Sequence, residues 1–189
     1  MKERGFTLVE VLMVVAIIAF LSTAIFSSIG KARKQAVTAN QNASAAEYIS
    51  AINLYAANNN FTYPIVPDDF PAGGPYGQGF GEACVGEGQT IGCSFGHGVA
   101  ATPVVNDQLR PYLSKMPASN VDFVVNPMGI GGYPVTLTGY IYQCYKFAGP
   151  DTCTEASFQW VVYGHSCGQA EQAYYNGVTD ISQCIHVFH

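Results

Sequence analysis

One carboxylate, Glu10, stands inside an otherwise apolar run from Phe6 to Ile29, and a small residue, Gly5, stands just before it. A carboxylate in lipid costs roughly 2.5–3.5 kcal/mol on insertion scales, so an intramembrane acid needs a partner. Hydrolysis of the Gly5–Phe6 peptide bond would make one, a positive α-amino group on Phe6. Glu10 would then be the fifth residue of the shortened chain. The amine can come from the same chain or from a neighbouring copy. Pairing between copies would favour a defined axial stagger of identical helices.

The second set of reactive side chains is six cysteines, which fall as Cys84/Cys93, Cys144/Cys153 and Cys167/Cys184. Six cysteines allow about 15 connectivities. Sequential pairing is expected here because each pair brackets its own turn-rich segment. Each closed loop would stabilise the fold by roughly 2–4 kcal/mol in the chain-entropy model. The spacings lack C-x-x-C and the histidines are scattered, so a metal site is not indicated. His165, Ser166 and Cys167 adjoin one another with Glu155 near in sequence. Such a trio can be picked from almost any chain, and neighbours along a strand point to opposite faces. His186 and His189 read as solvated terminal histidines. No enzyme is expected.

The element that positions Glu10 is a helix. A stretch of about 20 apolar residues can cross a bilayer at ~1.5 Å rise per residue. Lys2 and Arg4 precede the run, and Lys31, Arg33 and Lys34 close it. A secretory signal would carry its small-residue cleavage site after the apolar core; here Gly5 precedes it, and processing there would keep the helix. The helix is expected from Phe6 to about Asn59. In its second half Ala45, Ile49, Ile52 and Ala56 form an apolar stripe flanked by Tyr48 and Tyr55. Ser27, Ser28 and Gly30 are its weakest stretch. Asn58, Asn59 and Asn60 end it, and Tyr63-Pro64 marks the exit, because a residue before Pro disfavours the α region.

Beyond the helix, Ile65 to about Thr102 reads as a Gly- and Pro-rich loop tied by Cys84 and Cys93. Asn106 to Met116 is expected as a short helix or turn. Pro134–Phe147 and Ser157–Tyr163 read as strands, rich in β-branched and aromatic residues. Gly149 to Glu155 between them is turn chemistry, and Gln183–Phe188 makes a final strand. An antiparallel sheet of three or four strands against the second half of the helix gives an α+β head.

Charge divides the chain. From Gln35 onward only Arg110, Lys115 and Lys146 face eleven Asp and Glu, a formal charge of about −8. Such a head lacks the basic stripe that phosphate binding requires, so nucleic-acid binding by the isolated head is not expected. Six cysteines in a low-charge domain indicate an oxidising compartment, outside the membrane.

Gly5-Phe6-Thr7-Leu8-Val9-Glu10 after a basic leader resembles the N-terminus of type IV pilins and of the pseudopilins of type II secretion and competence. Leu54 to Pro64 is similar to the helix-end motif of that family, and Leu109 to Pro117 to a pseudopilin phrase. The resemblance implies a leader, residues 1–5, removed by prepilin peptidase, and N-methylation of Phe6. It implies a helix half for membrane and filament core at 6–30, an amphipathic half at 31–59 and a globular head at 60–189. The fold implied is type IV pilin-like α+β, with disulfide-closed loops. The function implied is a structural subunit of a type IV pilus filament, a homopolymer built by an assembly platform. The precursor would sit in the inner membrane with its head outside, and the mature form in an extracellular pilus. The alternatives are a pseudopilin or a minor tip pilin.

No cofactor is expected beyond the calcium that major pseudopilins bind in a loop. Asp68, Asp69, Glu82, Glu87, Asp151 and Glu155 offer oxygen ligands here without an EF-hand pattern. Asn42-Ala43-Ser44 and Asn60-Phe61-Thr62 match the N-glycosylation pattern. The loop aromatics Phe70, Tyr76, Phe80 and Phe95 and the pair Tyr174 and Tyr175 suit either core or contact surface.

Overall fold

A computed structural model describes residues 7–66, 81–86, 93–95, 98–99, 103–118, 122–126, 135–149, 152–168, 170–176 and 180–189. The first element is a helix, α1, over Leu8–Asn58. It holds no proline, and its single glycine, Gly30, leaves the backbone helical. Two compact units divide within it, one ending at Val37 and one running from Thr38 to His189.

The end of α1 is built by asparagines. Asn58 Nδ2 donates to Leu54 O and Asn59 Nδ2 to Tyr55 O, at 3.0 and 2.7 Å. Both tie side chains back onto the last turns of the helix, Tyr55 O being one of the four carbonyls that a helix end leaves open. Asn60 then turns left-handed, at φ +55°, and Phe61 N donates to Ala56 O at 2.8 Å. That is the six-to-one bond of a Schellman cap. Tyr63 follows in a single antiparallel bridge to Cys153.

The second unit carries two antiparallel sheets. Its elements are β1 (Glu82–Val85), β2 (Cys93–Phe95), β3 (Gly98–Val99), α2 (Pro103–Leu109), a 3₁₀ turn (Arg110–Tyr112), β4 (Asp122–Asn126), β5 (Val135–Thr138), β6 (Tyr140–Gly149), β7 (Thr152–Tyr163), β8 (Glu171–Asn176) and β9 (Ile181–Phe188). One sheet has the order β1-β6-β7-β9-β8 and the other β3-β2-β5-β4. A long helix followed by antiparallel sheet and disulfides fits the type IV pilin-like α+β fold that the N-terminal resemblance implies.

The strand content exceeds the expectation of three or four. The stretch read as one loop from Ile65 to Thr102 contains β1, β2 and β3, which are too short to show a period. The single strand expected over Pro134–Phe147 is two strands in different sheets. Gly139, at φ +83°, separates them, and glycine takes that conformation without a Cβ clash. Strand β7 starts at Thr152, so Cys153, Thr154 and Glu155 are ladder residues rather than turn. β4 and β8 had no reading in advance. The helix expected over Asn106–Met116 starts three residues earlier and ends before Leu113.

The core is aromatic. Tyr48 of α1 lies 5.3 Å from Tyr140 and 5.1 Å from Phe158, ring centre to ring centre, and all three are fully buried. Its hydroxyl donates to Pro117 O at 2.7 Å. Gln41, Ala45, Ala51, Ile52 and Ala56 complete the buried helix face; of the stripe that the sequence spacing marks, Ala45, Ile52 and Ala56 are buried and Ile49 is partly buried. Two side chains of α2 grip backbone as a strand would. Gln108 accepts from Ile65 N and donates to Ile65 O, at 3.0 and 3.1 Å. Asn106 does the same with Gly86, at 3.1 and 3.4 Å.

Candidate functional site

Helix α1 opens with a reciprocal cap. Thr7 N and Thr7 Oγ1 both donate to Glu10 Oε2, at 2.8 and 2.7 Å, and Glu10 N donates to Thr7 Oγ1 at 3.3 Å. This is a capping box, in which the first and fourth residues satisfy each other's orphan donors. Glu10 therefore has a local partner on its own chain before any neighbour arrives. The signal was in the sequence, since Thr7-Leu8-Val9-Glu10 fits the T-x-x-E spacing of such a box. Gly5 and Phe6, the expected cleavage and methylation positions, lie outside the described residues.

The helix that follows exposes its apolar side chains. Leu8 and Phe20 are each 75% exposed and Phe26 is 74% exposed, with Val9, Leu12, Met13, Ile18, Ile25 and Ile29 also open. Its most apolar 18-residue window is long enough to cross a membrane, and none of it is buried. Ser22 Oγ and Thr23 Oγ1 donate back to Ile18 O and Phe20 O, both at 2.7 Å. That leaves neither hydroxyl donor unsatisfied on an otherwise apolar helix surface.

In the second unit, disulfides join Cys144 to Cys153 and Cys167 to Cys184, with Cα separations of 6.0 and 5.5 Å. Cys84 is also disulfide-bonded; the side chain of Cys93, its expected partner, lies outside the described set. Cys144 and Cys153 do not face each other in the ladder, since Cys144 pairs with Ala156 and Phe147 with Cys153. Register shifts on both strands, extra residues falling at Tyr145 and Ala148 of β6 and at Thr154 of β7, accompany their approach. Gly81 lies beside this bridge at φ +56°, and a Cβ there would sit 2.7 Å from Cys144 O.

Two residues of α1 hold the far end of β7, and neither was singled out for that role. Thr38 Oγ1 donates to Tyr163 O and accepts from Tyr163 N, both at 3.1 Å. Asn42 Nδ2 donates to Ser166 O at 2.9 Å, and Asn42 Oδ1 accepts from Trp160 Nε1 at 2.8 Å. The Asn42 amide is thus engaged at both atoms within its glycosylation pattern. Asn60, in the other pattern, is exposed.

The remaining candidates separate. Cys167 is tied to Cys184, so the trio at 165–167 contains no thiol. It lies in a turn, not along a strand, and His165 Nδ1 is 3.4 Å from Gln172 Oε1. His186 is not a solvated terminal residue: it is half-buried and packs edge-on against Phe188, with ring centres 4.7 Å apart. Glu155 pairs with Lys146 and Glu82 lies in β1. Asp68, Asp69, Glu87 and Asp151 lie outside the described residues, as do Phe70, Tyr76, Phe80 and the side chains of Phe95, Tyr174 and Tyr175. Among the described residues no three of His, Cys, Asp and Glu come together as a metal site.

Titration follows packing. Burial pushes the Tyr142 phenol well above its ordinary value, and the phenols of Tyr55 and Tyr63 add to the shift. Burial raises Tyr140 as well, against a hydrogen bond from Ser44 that lowers it. Burial lowers His186. A hydrogen bond to Glu155 raises Lys146. The tyrosine shifts come from burial in the core, and the lysine shift comes from its pairing with Glu155.

Residues 1–26 match the family model described as the prokaryotic N-terminal methylation motif. No curated protein matches the chain, and no solved structure matches it. The matched segment contains the capping box and the start of the exposed apolar helix.

Proposed function

We propose that this chain, whose residues 1–26 match the N-terminal methylation motif, is a prepilin of the type IV pilin and pseudopilin class and the structural subunit of a type IV pilus filament. The class implies processing by prepilin peptidase and assembly into a pilus-like polymer. A membrane-anchored precursor that later joins a surface polymer fits the motif and the apolar helix.

The observation that carries the reading is the run of open apolar side chains from Leu8 to Ile29. Exposed apolar surface on this scale is unstable in water, so the segment belongs in lipid or among copies of itself. On this reading the chain is cleaved after Gly5, and Phe6 becomes the N-methylated first residue. The Phe6 amine of one subunit then approaches Glu10 of the next. Oε2 of Glu10 takes both Thr7 donors, which leaves Oε1 for the amine. Burying the apolar helices drives assembly, and the acid–amine pair fixes the stagger, since a mismatched register leaves a charge unpaired in a low-dielectric core.

Intact-mass spectrometry of sheared, purified surface filaments tests this. The expected species starts at N-methylated Phe6 with its cysteines oxidised. Glu10→Ala should keep membrane insertion and sharply reduce filaments; undiminished filaments would remove the stagger argument. Gly5→Asp should block processing, and mature-sized protein from that variant would refute the cleavage site.

A pseudopilin is the second reading, favoured by the Leu109–Pro117 phrase. Leu109 is buried and Tyr112 packs edge-on against Tyr55 of α1, ring centres 6.0 Å apart. Processed protein confined to the cell-envelope fraction would select this reading.

A further inference from the structure

We propose that the turn ending α1, with Phe61 as its anchor, is a contact surface for a second copy of this chain; the proposal rests on the polymer reading above. Asn60 and Phe61 are consecutive left-handed residues, at φ +55° and +57°, a conformation that side-chain-bearing residues disfavour. The turn is nonetheless held firmly. Phe61 N donates to Ala56 O at 2.8 Å, Thr62 N to Asn59 O at 3.1 Å, and Tyr63 N to Cys153 O at 2.9 Å. Strain that persists because its surroundings over-determine it is a pointer to function.

The strained turn presents a large aromatic side chain to solvent. The apolar residue at this place in a Schellman cap ordinarily packs back onto the last helical turn; Phe61 remains 81% exposed, and Leu54 of the last turns is 51% exposed. A rigidly held aromatic is the kind of residue that dominates interface energetics.

Charge selects the occupant. The second unit is acidic, so identical copies repel one another on most approaches. From Thr38 to Phe61 the exposed residues of α1 carry one charge, Glu47. Identical acidic heads can meet there with little repulsion. The same helix supplies the apolar segment through which the polymer is proposed to form, and copies joined by it hold this face at high effective concentration.

The test places a benzophenone-bearing amino acid at position 61 of the full chain, in cells that assemble it, followed by irradiation and peptide mapping. The expected product joins position 61 to a second copy of the same chain. Phe61→Ser should leave thermal unfolding of the head unchanged while lowering filament yield about tenfold or more, the effect of losing one hot-spot side chain. If filaments made of this chain form but position 61 links only to lipid, to another protein or to nothing, the contact is refuted and the polymer reading stands. Unchanged filament yield for Phe61→Ser refutes it too. If the unmodified chain forms no homopolymer, both readings fall.

Discussion

The two halves of α1 share one backbone conformation and differ in what surrounds them. From Leu8 to Ile29 the large apolar side chains are open. From Thr38 to Ala56 one face is sealed: Tyr48 and Ile52 are fully buried, Thr38 and Asn42 are bonded to β7 and the turn beyond it, and the opposite face is uncharged but for Glu47. Helix formation is thus separable from what the helix is for. The first half is unsatisfied until lipid or other copies cover it. The second half is satisfied within its own unit, and most helical stability in proteins comes from such packing of one face.

Breaking the buried face should have the largest effect. Tyr48→Ala removes a ring packed against Tyr140 and Phe158, at a cost of about 3–5 kcal/mol as for other large aromatic truncations in cores. Ile17→Ala, made in the open half, should leave head unfolding unchanged. Chemical denaturation of detergent-solubilised full-length protein checks both. Equal losses in the two variants would end the distinction between the halves.

Removing the Cys167–Cys184 disulfide, which anchors the turn that follows Tyr163, comes next. Replacing Cys167 and Cys184 together by Ser should lower stability by about 3 kcal/mol, the chain-entropy value for a loop near this size. A smaller loss should follow from Asn42→Ala, which frees the buried Trp160 indole donor; about 1–3 kcal/mol is expected for such a group. Asn42→Asp, which keeps an acceptor for Trp160, should lose less. Were Asp to cost as much as Ala, the indole bond would not be what holds this end of the helix.

The smallest effect concerns pH. Burial holds the folded-state pKa of His186 below its unfolded value near ~6.5. The unfolded chain therefore binds the proton first as pH falls. This contribution is complete above the unfolded pKa and is lost as pH drops through that value towards the folded one. Melting temperature should fall from pH 7 to pH 5, and by less in His186→Gln. An identical pH slope in the variant would exclude His186 as a source.

What could be read in advance follows the range of the interactions. The Leu8–Asn58 helix, the buried stripe through Ala45, Ile52 and Ala56, and the asparagine stop are set by residues within one or two turns of each other. The Thr7–Glu10 box was equally local, and its spacing was legible. The short strands β1, β2 and β3 were not, because two to four residues show no period and exist as strands only through partners distant in sequence. β9 was legible over Gln183–Phe188, but β8 was not: the bulge between Gln172 and Tyr174 interrupts the alternation that would mark it as a strand. Exchange of sheets at Gly139 also leaves no local mark beyond a glycine.

The sequence by itself determined that a long helix begins with one acid among apolar residues, that it divides into an apolar and an amphipathic half, and that cysteines serve the part beyond it. Side-chain chemistry at short separation decides those features. Only the tertiary structure decided that Asn42 bonds Trp160 and Ser166, that Cys144 reaches Cys153 across bulged strands, and that Phe61 remains open beside a buried Tyr63. Each depends on which distant backbone lies alongside. That is settled by the packing of the whole sheet against the helix and by no segment alone.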